Sequence, residues 1–186
     1  MSKKKVLMLT CSPKDTGFTA SIAAGVGYSI LAGVDSMIKL INIYELNMNY
    51  CTDCGKCAKT KGCKYIDDMT GMYELFDEYE NLIIVSPIYF NSLPAPFKTM
   101  IDRLQAVYNS KYVLKDSMID KSKNKTAWIY LIGGQEYTED QFTGATEILK
   151  IFLKAINYKF DYGVLVSNTN NAKTLEEAEF RKLEKL

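Results

Sequence analysis

The stretch CTDCGKCAKTKGC places Cys51, Cys54, Cys57 and Cys63 within thirteen residues, and the chain has one further cysteine, Cys11, and no histidine. Thiolates bind metals and exchange with disulfides, so four of them at gaps of two, two and five residues point to metal or redox chemistry. Gaps of two let successive thiolates wrap one [4Fe–4S] cubane, with the fourth returning from a short excursion. Ferredoxin-type runs are similarly compact, though their last gap differs. Gly55 and Gly62 ease the tight turns that such wrapping needs. Lys56, Lys59, Lys61 and Lys64 are interleaved, and would offset an anionic cluster or steer an acidic redox partner. The same thiols also admit a four-thiolate zinc site, although zinc sites usually set two cysteine pairs farther apart. Reduced thiols in a plain loop are the third reading. The missing imidazole removes Ser–His and Cys–His dyads and histidine-ligated metals. An enzyme built this way relies on a cofactor for its hard step.

Three further stretches carry binding chemistry. The first, TCSPKDTGFT (Thr10–Thr19), offers hydroxyls at Ser12, Thr16 and Thr19, a cation at Lys14 and a flexible Gly17. At the start of a helix that composition suits a phosphate, and it equally suits an ordinary Ser/Pro/Gly turn. It is not a Walker loop, because no G-K-[ST] occurs. The second, SPIYFNSLPAPF, sets Tyr89, Phe90 and Asn91 after Pro87 and Ile88 in a proline-stiffened loop suited to a planar heterocycle. The third, IGGQEY, has Gly133 and Gly134 for close backbone approach, with Gln135 and Tyr137 able to bond or flank a ligand edge.

These loops need elements to hold them. Short apolar runs predict strands at Lys5–Thr10, Ser36–Ile43, Asn81–Ser86, Thr126–Ile132 and Tyr158–Val166. Helical spacing predicts helices over 17–31, from Asp68 as the cap with a stripe at Met69, Met72, Phe76 and Tyr79, and from Pro96 with Phe97, Met100, Leu104 and Val107. Thr138-x-x-Gln141 and Thr174-x-x-Glu177 read as capping boxes, the second opening a last helix that runs to the end. Residues 108–125 form the longest irregular connection, a candidate lid, interface or plain surface loop. Strand and helix alternate, which predicts an α/β fold: a doubly wound, five-stranded parallel sheet with helices on both faces. In such sheets ligands bind beyond the carboxyl ends of the strands, where all three loops fall.

At 186 residues the chain fits a single domain over 1–186, and 47% hydrophobic with 24% charged residues is a globular composition. A net charge of +1 argues against a general nucleic-acid or membrane surface. The apolar run Val6–Leu9 is too short for a signal-peptide core, and no stretch approaches a membrane span. Together with the reduced thiols this predicts a cytoplasmic protein.

Four motifs occur in order: TCSPKxxGFT, then D67-D-M69, then S86-P-I-Y-F-N, then P96-F-K-x-x-I-D-R103. Over roughly residues 5–170 they resemble the NADPH-dependent FMN reductase family of the flavodoxin-like fold. With the four cysteines the chain resembles its iron–sulfur flavoprotein branch. The resemblance implies FMN. Ser12, Lys14, Phe18 and Thr19 would then hold its phosphate. Pro87, Ile88, Tyr89, Phe90 and Asn91 would meet the isoalloxazine, together with the third loop. It implies a [4Fe–4S] cluster on the four cysteines, a transient NAD(P)H donor, and an acceptor such as a quinone, an aromatic, free flavin or the cluster. The alternative it leaves open is an electron carrier between protein partners such as ferredoxin. It also implies a homodimer or dimer of dimers, with Asp102-Arg103 read either as an interface element or as a local surface pair. Cys11, Lys14 and Phe18 stand where the family usually has glycine, arginine and asparagine, so Lys14 offers a point charge rather than a fork.

Overall fold

A computed structural model describes residues 4–33 and 35–186. The strands are β1 (Lys4–Thr10), β2 (Ser36–Asn42), β3 (Asn81–Pro87), β4 (Thr126–Ile132), β5 (Lys159–Ser167) and β6 (Glu179–Lys182). The helices are α1 (Phe18–Gly33), α2 (Asp68–Glu78), α3 (Ala95–Arg103), α4 (Gln105–Tyr112) and α5 (Glu139–Ala155). The strands form one six-stranded sheet in the order β2-β1-β3-β4-β5-β6. The first five run parallel, and β6 pairs antiparallel with β5. The chain leaves β1 to one side for β2 and returns to the other for β3. The order therefore reverses at β1, and the crevice for a ligand opens there.

Strand alternation divides the core. Leu7, Leu9, Leu82, Ile84, Ile129 and Leu131 face α2, α3, α4 and α5 through Met72, Phe76, Phe97, Val107 and Phe152. Val6, Met8, Ile83, Val85 and Val166 face the other way, against Ile22 and Ala23 of α1 and against Leu175 and Ala178 of the C-terminal segment. Helices thus lie on both faces, four on one and α1 on the other.

Four expectations need correction. The residues from Thr174 onward form a single 3-10 turn, Leu175–Glu177, and then β6, not a helix. So short a charged helix would be marginal by itself. As a strand the segment pairs the open backbone edge of β5 and buries Leu183 against Gly163. The helix expected from Pro96 onward breaks at Leu104, where ψ of −2° and a bond from the Leu104 N–H to the Ile101 carbonyl at 3.0 Å tighten the turn, and the Arg103 carbonyl accepts from the Tyr73 hydroxyl at 2.9 Å. The cap of α2 is Asp67, which accepts from the Met69 N–H, while Asp68 is the first helical residue and accepts from the Asn47 N–H. The Thr138–Gln141 box does not form, and the first turn of α5 is closed by the backbone bond from Gln141 N–H to the Thr138 carbonyl.

The connection after α4 packs away from the crevice. Ile119 is buried, and Asp77 of α2 accepts from the Asp120 N–H at 2.6 Å, which fixes the loop against the helical layer. No described helix is long and apolar enough to cross a membrane.

Candidate functional site

The loops after β1, β3 and β4 meet around one cavity of about 670 Å³. From the first loop, Ser12, Lys14, Phe18 and Thr19 line it, joined by Thr16 and Gly17. Ser12 and Thr19 are buried, and the Ser12 Oγ accepts from the Lys14 N–H at 3.2 Å, which folds the loop back on itself. Gly17 sits at φ +94°, a turn that brings the first N–H groups of α1 to the cavity floor. The first turn of α1 contains no acidic residue, so the positive end of the helix dipole is left for an anion.

From the second loop, Pro87, Ile88, Tyr89, Phe90 and Asn91 line the cavity. Tyr89 and Ser92 exchange backbone hydrogen bonds at 2.9 and 3.0 Å across a two-residue turn. Both central residues lie in the left-handed region, Phe90 at φ +50° and Asn91 at +56°. The turn rests on α5 at Gly144, where a Cβ would stand 2.5 Å from the Asn91 carbonyl oxygen. Only glycine permits that approach, and it fixes the height of the loop over the cavity.

From the third loop, Gly134 and Gln135 line the wall, whereas Gly133 and Tyr137 do not. Tyr137 stacks on Phe142 at 6.0 Å and is covered by the Arg181 guanidinium, 4.3 Å from its ring centroid. Three wall residues lie outside the stretches singled out for binding chemistry: Gln141, Thr169 and Asn170. The segment carrying Thr169 and Asn170 is laced to the third loop by Asn170 N–H to the Gly134 carbonyl at 2.9 Å and Thr169 hydroxyl to the Gly133 carbonyl at 3.1 Å. Their only signal was the turn-forming run SNTNN after β5, which names no partner. Gln141 was hidden by its fit to a capping box. Its side chain is buried, and its Oε1 has no hydrogen-bond partner among the described residues.

The arrangement fits FMN on three observations of this chain. They are an acid-free helix N-terminus beside two buried hydroxyls, a backbone approach at Gly144 that only glycine allows, and a buried amide oxygen on the wall, Gln141 Oε1, unpartnered among the described residues.

The four clustered cysteines lie elsewhere. Cys51, Cys54, Cys57 and Cys63 line a second cavity of about 120 Å³, together with Arg103 and Asn109. Cys57 and Cys63 are half-buried against the core, Cys54 is exposed, and the Cys57 sulfur accepts from Asn109 Nδ2 at 3.1 Å. Among the described residues no three Cys, Asp or Glu groups are placed to hold a metal ion. As folded, the thiols share a cavity without forming a ligand set for a single metal ion.

The loop is held at both ends by one buried ion pair. Arg103 donates to Asp67 at 2.7 and 3.1 Å and to the Asn49 carbonyl at 2.7 Å, with Asp67 also accepting from the Asn49 N–H. Burial raises the Asp67 pKa, but hydrogen bonds from Arg103 and Asn49 outweigh it and hold the carboxyl at about 2. Asp102 instead pairs with Lys98 on the surface at 2.7 Å, so the two neighbours serve different sites.

The NADPH-dependent FMN reductase family matches over residues 4–139. The chain belongs to that family. A relative described as an iron–sulfur flavoprotein, from Archaeoglobus fulgidus, is 36% identical over 67 residues, covering 36% of this chain and 30% of the relative. The aligned stretch thus spans less than a third of that relative's length. Among solved structures, an azoreductase from Bacillus anthracis superposes with a TM-score of 0.69 at 13% identity, over 90% of this chain and 88% of the other. An NAD(P)H:quinone oxidoreductase from Methanothermobacter marburgensis superposes with a TM-score of 0.68 at 15% identity, over 95% and 90%. At those identities the likeness is one of fold, the flavodoxin-like α/β sheet that the family carries.

Proposed function

We propose that the chain is an FMN-dependent oxidoreductase that draws electrons from a reduced nicotinamide and delivers them to a small-molecule acceptor such as a quinone, an aromatic or free flavin. The observation that carries this reading is the convergence of three strand-end loops on one cavity above the acid-free N-terminus of α1. The family match and the names of the matched proteins support it. FMN, when bound, would supply the redox chemistry between the nicotinamide and the acceptor.

The chain's own residues bind and orient. Ser12 and Thr19 hydroxyls, the Lys14 ammonium and the α1 N–H groups hold the phosphate, and Phe18 contributes through its backbone. Pro87, Ile88 and Asn91 would meet the ring, with Gly134 on the same cavity wall and Gly133 shaping the wall behind. Tyr89 and Phe90, both exposed, offer aromatic faces at the mouth to an incoming flat substrate. Tyr137 braces the third loop through its contacts with Phe142 and Arg181. No side chain need act as a nucleophile, in keeping with a chain that has no histidine. The same reading carries a cytoplasmic homodimer or tetramer with the flavin near the subunit boundary.

A second reading is favoured by the shared cavity of the four thiols and by the name of the Archaeoglobus relative. It makes the chain an electron carrier that pairs flavin with a [4Fe–4S] cluster between partners such as ferredoxin. The thiols as folded share a cavity but form no ligand set for a single metal ion, so the cluster belongs to this second reading alone.

The visible spectrum and iron content of anaerobically purified protein separate the readings. Yellow protein without iron, bleached by NADPH, supports the reductase. About four irons per chain and bleaching by reduced ferredoxin support the carrier. Colourless protein that takes up no added FMN overturns both. Ser12→Ala with Thr19→Ala is expected to weaken FMN binding about tenfold or more, from two lost charge-assisted hydrogen bonds.

A further inference from the structure

We propose that the side-chain amide of Gln141 pairs with the imide edge of the bound isoalloxazine, which makes Gln141 the residue that fixes the ring's orientation in the cavity. This rests on the FMN reading above.

Four observations converge on the residue. Gln141 is 6% exposed, yet it lines the cavity wall. Its Oε1 is buried with no hydrogen-bond partner among the described residues. A buried carbonyl left unpaired destabilises the fold, so a partner from outside the chain is the physical reason to keep it. The room for the side chain is made by Gly133. A Cβ on residue 133 would stand 2.6 Å from the Gln141 Cδ and closer still to Oε1. Lastly, the helix start leaves the carbonyl unused, because Oε1 accepts no hydrogen bond from the Thr138 N–H that a closed capping box would supply. The residue is therefore withdrawn from the local role its spacing suggests and seated in a slot that one glycine provides.

The chemistry of the slot selects the ligand group. A primary amide presents one acceptor and one donor side by side. The pyrimidine edge of an isoalloxazine presents C2=O, N3–H and C4=O in a row, so an amide can meet N3–H and one flanking carbonyl at once. Turning the amide end for end changes its volume little, so either carbonyl can be matched. The benzenoid edge of the ring carries only methyl groups and offers the amide nothing. Gln141 thus favours the pose with the polar edge turned to the third loop. It also explains Gly133, which lies outside the cavity wall but is required for the amide to be there.

The test compares FMN with 3-methyl-FMN, in which a methyl replaces the N3 proton, by flavin-fluorescence titration. The wild-type protein is expected to prefer FMN by about tenfold, the worth of one good hydrogen bond. Gln141→Leu is expected to bind FMN about tenfold more weakly and to lose most of that preference. Gly133→Ala, whose methyl evicts the amide, is expected to behave like Gln141→Leu. Without flavin, Gln141→Leu is expected to melt higher than wild type, since the unpaired carbonyl is gone, and FMN is expected to raise its melting temperature less. If the leucine variant does not fold, Gln141→Met, of similar length and without the amide, gives the same readouts. An unchanged preference for FMN over 3-methyl-FMN in these variants overturns the pairing while leaving the FMN site in place. Failure of the wild-type protein to bind either flavin overturns the FMN reading itself, and this proposal with it.

Discussion

Phe90 holds a conformation that a bulky side chain seldom adopts. Its φ of +50° places it in the left-handed region, and its ring is fully exposed, so no burial offsets the strain. Strain kept without a packing return concentrates at functional positions. Asparagine tolerates the left-handed region and has no large ring to lose. Phe90→Asn is therefore expected to raise stability by about 1 kcal/mol in urea unfolding while weakening the aromatic mouth of the cavity. The expected kinetic sign is a higher KM for a flat aromatic acceptor at unchanged FMN affinity. A variant less stable than wild type would show that the turn is not strained. The loop SPIYFN was legible in the sequence as stiff and aromatic, because its prolines and rings act locally. The handedness of its tip was not, since it depends on a seat at Gly144, more than fifty residues on. Gln141 was illegible for a related reason. Local spacing fits a capping box, and only the distant Gly133 gives the side chain another place to go.

Between α2 and α3 the decisive feature is the Asp67–Arg103 pair, with side chains 5% and 1% exposed. It ties the cap of one helix to the last residue of another and pins both ends of the thiol loop through Asn49 and Tyr65. Removing one member leaves a buried charge alone, so Asp67→Asn is expected to cost about 3–5 kcal/mol. Trypsin reports the loop directly: Lys56, Lys59, Lys61 and Lys64 are expected to be cut faster in the variant than in wild type at equal folded fraction. The pair also sets an acid limb. The folded pKa of about 2 lies below the ordinary carboxylate value, so the stabilisation is complete above about pH 4 and fades as pH falls towards 2. That limb is expected to be worth about 2 kcal/mol in wild type and absent in Asp67→Asn. Both residues stood in recognisable motifs, and the buried stripes of α2 and α3 were read correctly. The partnership was not readable, because Asp102 offers Arg103 a nearer carboxylate in sequence that the helix geometry turns to the surface.

Over the whole molecule, the C-terminal segment does what the expected last helix does not. Alternation of apolar strands and amphipathic helices was sufficient to foresee five parallel strands and the loops at their carboxyl ends. The sixth strand escaped because residues 174–186 have helical composition and a cap-like start, while the choice was made by the open edge of β5. The stretch after β5 first brings Thr169 and Asn170 to the cavity, then runs back along that edge as β6 and brings Leu183 to the core near Gly163. One stretch thereby closes the sheet and completes the binding wall, and the two tasks are separable. Leu183→Ala is expected to lower stability by about 2–3 kcal/mol, as for other buried leucines, with FMN affinity of the folded protein unchanged. Asn170→Ala is expected to weaken FMN binding severalfold with little change in the melting temperature of the flavin-free protein. If Leu183→Ala also lost FMN affinity in proportion to its stability, the strand and the wall would be one cooperative unit, and closing the edge would itself be a condition for binding.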